Sequence, residues 1–211
     1  MSNKVASIYE QVANYYSSKI KQHGPVPRGV DWNDEASQNL RFEKLLRLLP
    51  AGSDFSLNDV GCGYGGLLPY LRKNHPGLRY RGYDISREMI EAADKLHGEK
   101  ETFTCVNALG DIDSADFSVA SGIFNVKMTF QEADWQRYVV DTIEILAAKS
   151  TKGFAFNMLT SFSDKPKMRD DLYYGDPCFF FNLCKTKYSR AVLLDHSYPL
   201  YEFTVIVGSP Y

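Results

Sequence analysis

Gly61-Cys62-Gly63-Tyr64-Gly65-Gly66 places four glycines within six residues, so the backbone can approach a ligand that side chains would hold away. As spelled, the segment satisfies both G-x-G-x-G and, through Gly61, Gly63 and Gly66, G-x-G-x-x-G, and by itself selects no particular nucleotide. Asp59 adds a carboxylate two residues before the first glycine, where a dinucleotide fingerprint usually has an apolar residue. Asp84, at the end of the next apolar run, is placed to accept hydrogen bonds from both hydroxyls of a ribose. With Tyr83, Ile85 and Met89 as flanks for an adenine, these residues read as an adenosine pocket. The plainer alternative is a turn whose glycines serve only helix-strand packing, with Asp84 as a helix cap.

A pocket of this kind needs strands and helices to carry it. Residues 8, 12, 15, 16 and 20 are apolar or aromatic at helical spacing and predict an amphipathic helix over the first twenty residues. A Pro/Gly loop from Gly24 to Gly29 follows, then a second helix from Asp34 or Glu35 to Leu49, ended by Pro50-Ala51-Gly52. After this helical prefix the pattern alternates. Strands are expected at 56–60, 79–84, 102–106, 117–120 and 153–159, and helices at 67–73, 86–96 and 135–148, with Ser86 as a cap. Such alternation means a parallel sheet with helices on both faces. Strands at 190–194 and 202–207 are joined so briefly that they must pair antiparallel. The fold class is therefore α/β: a Rossmann-like, seven-stranded, mostly parallel sheet with a closing antiparallel hairpin and an N-terminal helical lid. Residues 1–211 form one domain, with 1–52 as prefix and lid, 53–211 as the cofactor-binding sheet, and 160–189 as an insert on the substrate side.

The 24 Lys plus Arg balance 26 Asp plus Glu, for a net charge of −2, and no basic stripe suggests nucleic acid. The longest uncharged stretch, Val60 to Leu71, is too short to span a bilayer, and Met1 to Val5 lacks the apolar core of a signal peptide, so a cytosolic place is expected. The cysteines at 62, 105, 178 and 184 have no zinc-ligand spacing and read as buried free thiols, so no metal is expected.

Asp59-Val60-Gly61-Cys62-Gly63-Tyr64-Gly65, Tyr83-Asp84-Ile85-Ser86-Arg87-Glu88-Met89-Ile90 and the closing hairpin make the chain resemble, over nearly its whole length, the class I S-adenosylmethionine-dependent methyltransferases of small-molecule, bacterial biosynthetic type. The resemblance implies S-adenosylmethionine as cofactor, contacted by Asp59, Gly61, Cys62, Gly63, Asp84, Ile85 and Met89. Asn107-Ala108 stands where the family has Asp-Ala beside the adenine; asparagine keeps the acceptor oxygen and loses the charge. The end of the fourth strand, Ala120 and Ser121, would reach the methionine portion. Ser37 to Phe42 is similar to the pre-sheet helix of the quinone-ring O-methylating group, in which an arginine pairs with the methionyl carboxylate. Arg41 either takes that role, through a two-bond guanidinium fork, or is a helix-face arginine. Tyr16, with Lys19, would come from a first helix that lids the cofactor in related enzymes.

The implied activity is methyl transfer to a small-molecule acceptor at oxygen, hydroxyl or carboxylate, in specialised or surface-sugar biosynthesis; a carboxylate of a modified peptide is the alternative acceptor. His196, after the sixth strand, is the candidate base, or else it orders the hairpin through Asp195. His75 and His97 fall in turns and read as solvated. Trp32 just after the Pro/Gly loop, Asn125 after the fourth strand and Tyr173 in the insert are candidate acceptor-binding residues, although an aromatic stripe such as Tyr173 to Phe181 is more often core than pocket. Rival readings are a nucleotide-dependent oxidoreductase, for which no Tyr-x-x-x-Lys follows the fourth strand, and a non-catalytic cofactor-binding scaffold.

Overall fold

A computed structural model describes residues 3–52, 54–98 and 102–208, so Met1 and Ser2 of the expected first helix lie outside the described residues. Helices α1 (Asn3–His23) and α2 (Glu35–Leu46) form the prefix. They precede β1 (Ser56–Val60), α3 (Leu67–Asn74), β2 (Arg79–Asp84), α4 (Arg87–His97), β3 (Phe103–Cys105) and β4 (Ala115–Ala120). Then come α5 (Glu132–Ala148), β5 (Ser150–Leu159), α6 (Pro177–Lys187), β6 (Val192–Asp195) and β7 (Glu202–Gly208).

The strands make one seven-stranded sheet in the order β3-β2-β1-β4-β5-β7-β6. Only β7 runs against its neighbours: it is inserted between β5 and β6 and pairs antiparallel with both, from Gly153 opposite Gly208 to Leu159 opposite Glu202. Because β1 and β4 are neighbours while β2 and β3 lie to the other side, the chain reverses direction across the sheet beside β1. A crevice opens there at the carboxyl ends of the strands.

Side chains alternate along β5: Phe154, Phe156 and Met158 enter one core with α1, α5 and α6, and Ala155 enters the other with α2, α3 and α4. Trp135 of α5 is wholly buried and donates from Nε1 to the Phe124 carbonyl at 2.8 Å, which pins the loop after β4. Helix starts follow their caps. Asp34 accepts from Ser37 N, Ser86 from Met89 N, and Asp176, ahead of Pro177, from Cys178 N.

Several boundaries differ from expectation. Helix α2 stops at Leu46, beyond which Leu48 N and Leu49 N bond back only three residues, to Leu45 O and Leu46 O; its cap, Arg47, lies 2.6 Å from the Asp195 carboxylate. Edge strand β3 is trimmed to Phe103–Cys105, whereas β5 starts earlier, at Ser150, paired with Ala115. Cys62 and Cys184 are buried, but Cys105 on the sheet edge and Cys178 in the first turn of α6 are exposed, and all four are free. The insert folds back on the loop after β4, with bridges between Val126 and Leu172 and between Thr160 and Gly175. No described helix is long and apolar enough to cross a membrane, and the described residues include no cluster of His, Cys, Asp and Glu that could hold a metal ion.

Candidate active site

The crevice is a cleft floored by the loop between β1 and α3. Gly61 adopts φ +75°, and a Cβ there would stand 2.2 Å from Cγ2 of Ile123, so only glycine lets the two loops meet. His97, half-buried rather than solvated, stacks on Phe103 and lies 3.2 Å from the Tyr64 carbonyl, supporting the loop from beneath. His75 packs edge-on to Phe55, with Nδ1 3.1 Å from the Gly52 carbonyl.

Asp84 Oδ2 accepts from Gly63 N at 2.9 Å and Oδ1 from Ser86 N at 2.8 Å. Each oxygen keeps a lone pair for a further donor. Burial raises its pKa, partly offset by these backbone hydrogen bonds. Asp59, 2% exposed, accepts from Tyr80 Oη at 2.7 Å; burial, with a smaller push from Asp84, raises its carboxyl to about 7 despite that bond. Burial also pushes up the Cys62 thiol and the phenols of Tyr16, Tyr64 and Tyr138.

The roof comes from the prefix. Ser17 Oγ sits 2.8 Å from Ser86 Oγ and donates to Glu88 at 2.7 Å, and Lys21 donates to the same carboxylate at 2.7 Å, which latches α1 onto α4. Lys21 and Ser17 hold Glu88 down to about 2. Asp31, in the left-handed region at φ 60°, binds Lys19 at 2.7 Å and the Tyr15 hydroxyl. Trp32 follows it. One face of the indole lies 3.8 Å from the Arg41 guanidinium carbon, and its edge lies over Gly122, where a Cβ would stand 2.2 Å from Cζ2.

Of the residues singled out in the sequence, Tyr16, Trp32, Asp59, Gly61, Cys62, Gly63, Asp84, Ile85, Met89 and Ser121 line this one cleft. Others do not. Arg41 is turned away: Nε lies 3.0 and 2.8 Å from the two Glu202 carboxylate oxygens, Nη2 lies 2.6 Å from Oε1, and Nη1 donates to Ser37 O. Tyr83 is buried in the core with α1 and α5, its hydroxyl 3.4 Å from the Asp113 carboxylate, and is not in the cleft lining. Asn107 is exposed and Ala108 buried in the core; the turn that follows brings Leu109 to the cleft instead. Asn125 accepts from Leu159 N at 3.0 Å and its carbonyl accepts from Tyr173 N, so both residues brace the loop after β4, with Tyr173 in the core. His196 is exposed, lodged between Phe162 and Phe203 away from the cleft lining.

Sequence reasoning missed Val12, Val30, Gln38, Ile123 and Tyr138 in the lining, and it missed Asn157. Asn157 accepts from Gly122 N at 2.7 Å, and its Nδ2, like Ser121 Oγ, is buried without a hydrogen-bond partner among the described residues. A lone asparagine within the apolar run of β5 was a signal for it.

A glycine loop after β1, a ribose-ready acid after β2 and an antiparallel β7 inserted beside β5 define an α/β nucleotide-binding fold of the methyltransferase kind. The chain belongs to the class I S-adenosylmethionine-dependent methyltransferases. A family model described as "Methyltransferase domain" matches residues 58–149. A protein of Mycobacterium tuberculosis (strain ATCC 25618 / H37Rv) named "Putative methyltransferase Rv1506c" is 48% identical over 164 residues, covering 77% of this chain and 98% of the relative. Among solved structures, the DhpI-SAH complex superposes with a TM-score of 0.60 at 16% identity, over 97% of this chain and 98% of that one. Phosphoethanolamine N-methyltransferase 1 of Haemonchus contortus, in complex with phosphoethanolamine and S-adenosylhomocysteine, gives 0.63 at 10%, over 97% and 50%. Magnesium protoporphyrin IX methyltransferase of Synechocystis PCC 6803 with bound SAH gives 0.56 at 12%, over 98% and 85%. Membership in this family removes the oxidoreductase and scaffold readings.

Proposed function

We propose that this chain methylates an oxygen of a small molecule, and that the acceptor oxygen is a carboxylate. The observation that carries this is the set of titratable groups in the cleft. Among the described residues no histidine or lysine lines it; the groups present are two acids, a thiol and phenols, with burial raising every one of them. A neutral hydroxyl needs a base, and both acids here are engaged, Asp59 by the Tyr80 hydroxyl and Asp84 by Gly63 N and Ser86 N, whereas a carboxylate is already ionised near neutrality and reacts once aligned. With His196 outside the cleft, alignment is what the chain supplies.

In this reading S-adenosylmethionine brings an activated sulfonium methyl. Asp84 accepts from the ribose hydroxyls with its remaining lone pairs, and Ile85, Met89 and Leu109 wall the adenine. Ser121 and Gly122 lie at the end of β4, where the orphaned Ser121 hydroxyl has room for a polar partner. Asp59 gains an ionised state beside a cationic cofactor. Tyr16 and Trp32 close the roof, with residues 1–52 serving as the lid. The biosynthetic setting, the cytosolic place and the modified-peptide alternative remain parts of this proposal.

A screen of carboxylic acids, phenols and amines with methyl-labelled cofactor tests it. A methyl ester that releases labelled methanol in mild base is expected. A base-stable label on nitrogen would refute the oxygen assignment.

A further inference from the structure

Gln38 and Phe42 of α2 and Tyr64, Gly66 and Leu67 around the start of α3 line the same cleft as Asp84, Ile85 and Met89. The N-terminus of α3, with Gly66 and Leu67 in the cleft lining, carries partial positive charge and would suit the anionic amino-acid portion of the cofactor. A carboxylate arriving there needs donors. Arg41, one turn beyond Gln38, is held by both oxygens of Glu202 and by Ser37 O.

Gln38 is 6% exposed and lines the cleft, and its Oε1 accepts from Tyr64 Oη at 2.9 Å. With Oε1 taking the Tyr64 hydroxyl hydrogen, the two Nε2 hydrogens are donors with no hydrogen-bond partner among the described residues. We infer that Gln38, oriented by Tyr64, binds the carboxylate of the cofactor's methionyl portion, while Arg41 is a structural partner of Glu202. This rests on the cofactor assignment above. It assigns the anionic end of the cofactor to a neutral amide beside a helix N-terminus.

Two product-like nucleosides isolate that contact. S-adenosylhomocysteine carries the amino-acid carboxylate; 5′-methylthioadenosine shares the nucleoside and lacks it. By calorimetry, Gln38→Ala is expected to weaken S-adenosylhomocysteine about tenfold and to leave 5′-methylthioadenosine within about twofold, since only the former loses hydrogen bonds to a charged group. Gln38→Glu, of the same shape but acidic, should weaken S-adenosylhomocysteine further and again spare the other nucleoside. The double variant Arg41→Met/Glu202→Gln, which removes the guanidinium without leaving a lone buried charge, should bind both like the wild type. Equal losses for the two nucleosides in Gln38→Ala, or no loss for either, would overturn the inference while leaving the cofactor assignment standing. So would selective loss of S-adenosylhomocysteine in the double variant, which would return the carboxylate to Arg41. Wild-type protein that binds neither nucleoside would overturn the cofactor assignment itself.

Discussion

Asp59 and Asp84 show how burial turns two ordinary acids into a tuned pair. Asp59, near 7 when folded and near 4 when unfolded, holds a proton in the folded chain that the unfolded chain releases between roughly pH 4 and 7. Its contribution to stability therefore falls as pH rises through that window. Asp59→Asn keeps an acceptor for Tyr80 and cannot ionise, so its melting temperature relative to wild type should rise by about 4 °C from pH 5 to pH 8. A difference that stays flat across that range would show that Asp59 titrates normally. Asp84→Ala should weaken S-adenosylhomocysteine at least about tenfold, as measured by calorimetry, because two buried hydroxyls lose their acceptor. His196→Ala, by contrast, should leave methyl transfer within about twofold of wild type. These acids stood out in the sequence because they follow apolar runs beside a glycine loop; Gln38, one polar residue among several on α2, did not, since only packing gives such an amide a meaning.

At the scale of elements, α1 and the turn leading to Trp32 cover the cleft, and their latch is polar. Ser17, Ser86, Glu88 and Lys21 tie α1 to α4, while Asp31, Lys19 and Tyr15 tie the turn to α1. Glu88, depressed to about 2, contributes above its unfolded value near 4.5, and that contribution is lost as pH falls toward 2. At neutral pH, Glu88→Gln should speed amide exchange in residues 3–23 without altering exchange in β1, β4 and β5. Uniform acceleration across the sheet would mean that α1 is not a separate opening unit. The existence of α1 was plain from its apolar spacing. Its docking site was not, because a capping serine and a first-turn glutamate of α4 show no partner until Ser17 and Lys21 meet them.

Across the whole molecule, the Arg41–Glu202 pair joins the prefix to the last strand. Glu202 is 1% exposed, and removing its charge strands a guanidinium in the interior. Glu202→Gln should cost about 3–5 kcal/mol in urea denaturation, and the Arg41→Met/Glu202→Gln double variant should recover much of it. A loss below about 1 kcal/mol would mean that the pair is solvated. Helix α2, part of a prefix that in sequence could pass for an appendage, is bound to the sheet through this pair.

The sequence by itself determined the alternation of strands and helices, the glycine loop with Asp84, the closing hairpin and hence the methyltransferase class, because these are written in local periodicity and turn chemistry. Tertiary structure alone decided which polar residues face the cleft. Arg41 and Gln38 sit three residues apart on α2, yet Glu202, brought from the far end of the chain by β7, draws the arginine away, and Tyr64 turns the glutamine toward the cleft. Tyr173 and Asn125 likewise became braces, and His196 a surface ring, through partners distant in sequence. A side chain's partner depends on what the fold brings to it, and local spacing carries no record of that.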